Sequence, residues 1–574
     1  MEDAKQRAYP HVIPDIENWP IYMLSESRQA FVREIEQFTL NRLKKAYPTS
    51  KITDIIAHTA YLERIRIQEE PWKVDPPNDR QFWNRLRKSL VRKSFDRPEP
   101  EAAANNEALL KDVIHRYAEE IVGTFNIKTF LFARKFLTFF FNRLLQAKLR
   151  GFLRIGGARR RLTEKLSVEG PLETVRALAS KGVIVVVPTH FSNLDSILIG
   201  YMMDIVAGLP SFSYGAGLNL YNTGYTAYFM NRLGAYRVDR RKKNEIYLET
   251  LKAMSNLSIQ RGTNSLFFPG GTRSRSGMME TKLKLGLLST TVEAQRSLFQ
   301  RGESKKVFIV PLVTSYHFVL EAQYLIEQYL KQIGKERFIK AQDNFFKPLQ
   351  IARFVWKVLA EGNDITFSFG QPMDVLGNPV DAQGESYDQY GNRIALQEYF
   401  ELRGHITEDL QRESEYTKLL GEKIVGSYFR YNIVLDSHLV AFAAFEILKK
   451  ENARLDLYGV LRLPPTDYAF AWEVLTEVVG KLQKKLNAME KAGELRLSAS
   501  VRGDKEALIR NGIGRMGTFH LKKPLKFDKK GQVVSENFLL LYFYHNRLEN
   551  YGLASKVSWT QPSMEVAQPE AENL

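Results

Sequence analysis

His190 and Asp195 stand five residues apart in the stretch Val183-Ile-Val-Val-Val-Pro-Thr-His-Phe-Ser-Asn-Leu-Asp195. A His and an Asp so placed can form a general base and its orienting carboxylate. The Asp accepts one ring N–H and fixes the tautomer, leaving the other nitrogen free to take a proton from a hydroxyl. The same residues also fit a capping box, in which Asp195 only satisfies the start of a helix. A second group of residues suits anions. In Phe268-Pro-Gly-Gly-Thr-Arg-Ser-Arg-Ser-Gly277 the glycines let backbone N–H groups approach a ligand, and Arg273 and Arg275 can grip phosphate oxygens with forked, charge-assisted bonds. No Gly-Lys-Ser/Thr follows at Walker spacing, and a plain turn with solvated arginines is the alternative. Gly234-Ala-Tyr-Arg-Val-Asp-Arg240 is a second basic element, and Lys282 and Lys284 form a third.

These residues need a scaffold that brings them together. Val183 to Val187 is a short, wholly apolar run, the pattern of a strand buried on both faces, and an apolar helix follows from Ser196 to Ala207. His190 and Asp195 then lie where a strand turns into a helix, the edge at which open α/β sheets carry their ligands. Strands are also expected at Ser265–Phe268, Val307–Val310 and Ile365–Phe369, with helices at Leu172–Lys181 and Glu245–Arg261. Pro311 should mark an edge or a bulge. The fold class expected is α/β, with helices preceding and following the sheet. The organisation reads as an N-terminal helical domain (1–120), a basic aromatic segment (121–163), an α/β domain (164–376), a mainly helical C-terminal region (377–554) and a disordered tail (555–574).

At 574 residues the chain exceeds what one core usually serves. There is no cysteine, so disulfides, thiolate metal sites and cysteine-linked acyl intermediates are excluded. The 82 Lys and Arg outnumber the 65 Asp and Glu by 17, which favours a polyanionic partner such as an anionic membrane, a phosphorylated substrate or nucleic acid. No run reaches the ~18–20 apolar residues of a spanning helix, and the first thirty or so residues lack a signal-peptide core, so neither a membrane span nor standard secretion is expected. Residues 121–163 carry ten basic residues and no acidic one. Arg134, Lys135 and Arg143 alternate there with Phe136, Phe139 and Phe140, the composition of a helix lying in the interface of an anionic bilayer. A core helix with basic ends and an RNA-binding stretch share that composition.

Taken in order, the blocks resemble the glycerolipid acyltransferase superfamily. Its first motif, His-x4-Asp, is matched by His190 and Asp195. Its second is matched by Gly234, Val238 and Arg240. The third, Phe-Pro-Glu-Gly-Thr-Arg-Ser-Arg, is matched, with Gly271 and Thr272 in place, except that Gly270 replaces the usual Glu. The fourth, an apolar strand ending in Val-Pro, is matched by Val310 and Pro311. The segments Tyr324–Lys335, Phe369-Gly-Gln-Pro372, Ser437–Ala441 and Leu541–Arg547 are similar to the larger glycerol-3-phosphate and dihydroxyacetone-phosphate acyltransferases.

The resemblance implies an acyltransferase acylating the 1-hydroxyl of sn-glycerol 3-phosphate from acyl-CoA or an acyl carrier protein, within phospholipid synthesis. It implies His190 as base, Asp195 as its orienter, and Arg240, Arg273 and Lys284 on the substrate phosphate, with Arg275 a fourth. No metal and no bound cofactor are implied. The expected partners are an anionic membrane surface, the acyl carrier and glycerol 3-phosphate, with no nucleic acid. The expected location is peripheral, on the cytoplasmic face of the cell membrane. The loss of Glu at position 270 leaves lysophosphatidate or dihydroxyacetone phosphate as alternative acceptors, unless another residue supplies the carboxylate. A basic protein that only binds membrane or nucleic acid would account for the charge, but not for four ordered motifs.

Overall fold

The computed structural model describes residues 8–93, 99–146, 166–221, 224–334, 365–465, 468–518 and 520–559. Its centre is a seven-stranded sheet of β1 (Leu166–Glu169), β2 (Gly182–Pro188), β3 (Ser213–Gly217), β4 (Ala235–Val238), β5 (Ser265–Leu266), β6 (Lys306–Ser315) and β7 (Ile365–Phe369). The spatial order is β1-β7-β6-β2-β5-β3-β4. Strands β2 to β6 all run parallel, while β7 lies antiparallel to β6 and parallel to β1. The expected α/β class is observed, with helical regions before and after the sheet. Val183 to Val187 are all fully buried in β2, as an all-apolar central strand requires.

Because β2, β4, β5 and β6 are parallel, their carboxyl ends share one edge of the sheet. His190 follows β2, Arg240 follows β4, the loop 268–277 follows β5 and Tyr316 follows β6. The topology alone therefore gathers four separate motifs on one rim. Pro311 does not lie in an edge strand: β6 is interior, paired with β2 at Val187↔Pro311. On its other side the neighbour steps from Met373, bonded to Ile309, to Phe369, opposite Leu312. Two residues of β6 there face three of the partner, an offset of bulge type that accommodates the missing N–H.

The larger cores are shared between the helical regions and the α/β domain. In the N-terminal region, α1 (Pro20–Glu26), α2 (Arg28–Ala46), α3 (Thr49–Glu69), α4 (Asp79–Lys93), α5 (Glu99–Ile121) and α6 (Ile127–Gln146) precede the sheet. Phe31, Ile35, Val113 and Ile114 share one apolar cluster with Ile246, Met254 and Leu257 of the long helix Glu245–Gln260, which lies inside the α/β domain. That helix begins where the Asn244 side chain accepts the N–H of Tyr247 at 2.9 Å. The C-terminal helices Leu410–Tyr431, Asp436–Glu451 and Phe538–His545 contribute Tyr428, Phe442 and Leu541 to the same core as β2 and β6. Trp559 packs on that core, and 560–574 lie outside the described residues.

Among the described residues no helix is long and apolar enough to cross a membrane. The basic aromatic segment is only partly visible. Helix α6 covers its first half, the side chains of Phe140 and Arg143 are not described, and 147–163 lie outside the described residues.

Candidate active site

Leaving β2, the chain turns at Thr189 and re-enters helix at Asp195, the first residue of Asp195–Ile205. His190 Nδ1 and Asp195 Oδ2 lie 2.9 Å apart. The same oxygen accepts the N–H groups of Phe191 (2.7 Å) and Ser192 (3.0 Å), while Oδ1 accepts the Tyr316 hydroxyl at 2.5 Å. Four donors on one fully buried carboxyl suit the ionised, acceptor-only form. Asp195 therefore does more than start a helix. It holds the turn that carries His190, and with Nδ1–H donated to Asp195 the Nε2 of His190 is the free nitrogen. The imidazole stacks on Phe268 at a centroid distance of 4.0 Å, which fixes its plane. Burial, and then the Asp195 charge, push the Tyr316 hydroxyl well above the usual tyrosine range, so it remains a donor.

The loop after β5 is fastened to this turn through the main chain. Ser274 N–H donates to His190 O at 2.7 Å, and the N–H of His190 donates to Glu280 Oε1 at 3.0 Å. Glu321 links the two segments again. Its carboxylate accepts from Asn193 N (2.9 Å), Ser192 Oγ (3.1 Å) and Arg273 Nη1 (3.3 Å). Burial raises the Glu321 carboxyl, and the Arg273 charge pulls the other way. Gly271 has φ +77, and a Cβ there would meet Lys284 Cδ at 2.6 Å, so glycine is needed both for the turn and for the lysine that crosses it. Gly234, at φ +84, is required by Ile21, whose Cδ1 would lie 2.2 Å from an added Cβ.

Arg240 is held by its neighbours in sequence. Arg241 pairs with Asp239 and with Asp75 of the N-terminal region, and Lys242 pairs with Glu120 of α5. With both following residues clamped, Arg240 projects from the end of β4, exposed in part and without an ion pair among the described residues. Partial burial, then the like charges of Arg273 and Arg275, hold its guanidinium below the ordinary arginine range. The positive charges of Arg240, Arg273 and Arg275 thus lie close enough to disfavour one another at this end of the sheet. Arg275 also donates to Gln332 at 2.7 Å, Thr272 is half-buried in the same loop, and Lys282 and Lys284 are exposed.

The C-terminal region supports the site from behind. His438 Nε2 contacts Tyr316 O at 3.0 Å, and His317 Nδ1 contacts Ser437 Oγ at 3.0 Å. Arg547 donates to Thr314 O at 2.8 Å and places its guanidinium 4.0 Å over the Phe191 ring. Burial brings Arg547 down to about 10. The stretches Ser437–Ala441 and Leu541–Arg547 thus converge on the end of β6, next to the residues that hold Asp195.

Beside the His190 turn, α6 and Asp195–Ile205 flank an apolar cavity of ≈ 120 Å³ lined by Phe130, Leu137, Ser196, Ile197, Tyr201 and Phe212. Arg134 is directed inward, paired with Asp204 at 2.5 and 2.7 Å. Lys135 is exposed, as are Phe132 (57%), Phe136 (51%) and Phe139 (66%), and Tyr228 of the helix Gly224–Met230 adds to the open aromatic surface.

Residues 166–315, which hold strands β1 to β6 and the His190 turn, match the family described as Acyltransferase, and this stretch is an acyltransferase domain. The chain is similar to the glycerol-3-phosphate acyltransferases of Pseudomonas aeruginosa (strain UCBPP-PA14) and Pseudomonas paraeruginosa (strain DSM 24068 / PA7). Each is 27% identical over 286 residues, covering 47% of this chain and 31% of the relative. The chain thus spans less than a third of the length of the curated relatives it matches.

Sequence spacing located His190, Asp195, Arg240 and the arginine loop. It did not single out Glu280, Glu321 or Tyr316. Glu280 carried a signal, since it is the one acidic residue between Ser265 and Val292, in a stretch otherwise basic or uncharged.

Proposed function

We propose that this protein transfers a fatty acyl group from acyl-CoA or an acyl carrier protein to the 1-hydroxyl of sn-glycerol 3-phosphate. One observation carries the reading: a His–Asp pair, hydrogen-bonded at 2.9 Å, is tied through its own main chain to the loop that bears Arg273 and Arg275. The phosphate binds Arg240, Lys284 and the Arg273 end of the loop, which holds the glycerol hydroxyl near His190 Nε2. His190 removes the hydroxyl proton as the oxygen attacks the thioester carbonyl. The tetrahedral adduct then expels the thiolate, and the imidazolium returns the proton to sulfur, giving lysophosphatidate and free thiol. Asp195 stabilises the imidazolium without taking its proton. General-base action of this kind contributes ~10²- to 10⁴-fold, and positioning supplies much of the remainder.

The apolar cavity beside Asp195 takes the start of the acyl chain. The exposed phenylalanines of α6, with Lys128 and Lys135 also open to solvent, seat the protein on the cytoplasmic face of an anionic membrane. In the test, labelled palmitoyl-CoA or palmitoyl carrier protein is supplied with glycerol 3-phosphate, lysophosphatidate or dihydroxyacetone phosphate in parallel. Acylation of glycerol 3-phosphate that is lost in His190→Ala is expected. Failure to acylate any acceptor, or undiminished turnover by the variant, overturns the reading. On anionic vesicles, electrostatic seating predicts release by high salt.

A further inference from the structure

Position 270 is where this chain departs from the motif it otherwise matches, and its surroundings show why. Gly270 is not in the left-handed region, so its backbone does not call for glycine. What a side chain there would meet is Glu280: a Cβ on Gly270 would lie 3.1 Å from Glu280 Cγ and 3.2 Å from Oε1, close enough that the glutamate would have to give way by a few tenths of an ångström. The Glu280 carboxyl therefore occupies the space that a side chain at position 270 would enter. From that place Oε1 accepts the N–H of His190 at 3.0 Å. The carbonyl of His190 is taken by Ser274 N–H at 2.7 Å, so the loop holds both polar groups of the catalytic histidine's main chain. Oε2 of Glu280 is shut off from solvent and has no hydrogen-bond partner among the described residues.

We propose that Glu280 is a positioning residue of this active site: reaching back from further along the chain, it supplies the carboxylate that position 270 lacks and fixes the main chain of His190. Glu280 and Gly270 are then one paired feature, each permitting the other. The charged and titratable groups around that carboxyl are Arg547, after the C-terminal helix Phe538–His545, Asp195, at the start of its helix, and Tyr428, on the helix Leu410–Tyr431. Burial raises the carboxyl, and the His190 N–H favours its ionised form.

The kinetic arm of the test rests on the acyltransferase reading, and a second arm does not. Kinetically, Glu280→Ala lowers kcat by about 10²-fold, the scale of a small misplacement of a reacting group, with little change in the thioester KM. Glu280→Gln, which can still accept the His190 N–H, recovers most of kcat. Gly270→Glu alone is as impaired as Glu280→Ala, whereas Gly270→Glu combined with Glu280→Gly restores turnover toward wild type. In the second arm, thermal unfolding is followed without substrate. Gly270→Ala lowers the midpoint when Glu280 is present and leaves it unchanged in the Glu280→Gly background. If wild type acylates nothing while this unfolding pattern holds, the enzyme assignment fails and the pairing stands. If wild type turns over and folded Glu280→Ala does so equally well, or the double variant is no better than Glu280→Ala, the proposal is wrong. Equal effects of Gly270→Ala in both backgrounds overturn it as well.

Discussion

The two halves of the candidate site are built on opposite electrostatic plans. Around His190 most polar groups are matched: Asp195 accepts four donors, Glu321 accepts three, and both backbone groups of His190 are bonded. Around Arg240 they are mismatched, with Arg240, Arg273 and Arg275 near enough to depress the first and, among the described residues, only Arg273 paired with an acid. A paired, buried network resists rearrangement and so presets the geometry of a base. A cluster of like charges does the reverse, since its repulsion is relieved only when an anion arrives. Under the proposed function, the first half serves the chemistry and the second the capture of the phosphate.

The largest effect expected from breaking this contrast is on turnover. His190→Ala should lower kcat by ~10²- to 10⁴-fold with little change in the KM for the phosphorylated acceptor, because the base acts in the transition state. A matched fall in affinity would place His190 in capture instead. Next come the arginines. Arg240→Ala should raise the acceptor KM by ~10- to 100-fold, the worth of a charge-assisted bond to phosphate, while leaving the unfolding midpoint unchanged or slightly raised. Arg273→Ala should impair the same step but also lower the midpoint, since it strips Glu321 of its cation in a buried setting. Steady-state kinetics with thermal unfolding of both variants separates the two. Identical behaviour would dissolve the distinction between a captured and a built-in charge.

How much of this was visible beforehand follows from distance along the chain. The His190–Asp195 pair lies within one turn, so spacing alone presents it. Arg240 and the loop 268–277 each follow an apolar run, and once those runs are read as parallel strands their ends must meet. Glu280, Glu321 and Tyr316 reach the His190 turn from 90 or more residues away, and no periodicity encodes which edge of the sheet they approach. The helices show the same limit. Their apolar faces were legible from 3.6-residue spacing, but that α5 would share a core with Glu245–Gln260, and so steady Arg240 through Glu120 and Lys242, was not. Nor did composition distinguish Arg134, which pairs with Asp204, from Lys135, which is exposed.

The last expected effect concerns Glu280, whose second oxygen has no partner among the described residues. Burial lifts the Glu280 carboxyl from 4.5 to about 7, against the His190 N–H that favours ionisation. A carboxyl raised in the folded state binds more protons there than in the unfolded chain between those two values. Its contribution to stability is therefore most favourable below about pH 4.5, declines as pH rises through the window, and is constant above about pH 7. The slope is at most ~1.4 kcal/mol per pH unit. Denaturant unfolding of wild type and Glu280→Gln across that window should show stability declining more steeply with pH in wild type, because glutamine cannot titrate. Parallel curves would mean that Glu280 ionises as readily when folded as when unfolded, and the matched half of the site would then hold a full second anion beside Asp195 with only Arg547 to balance it.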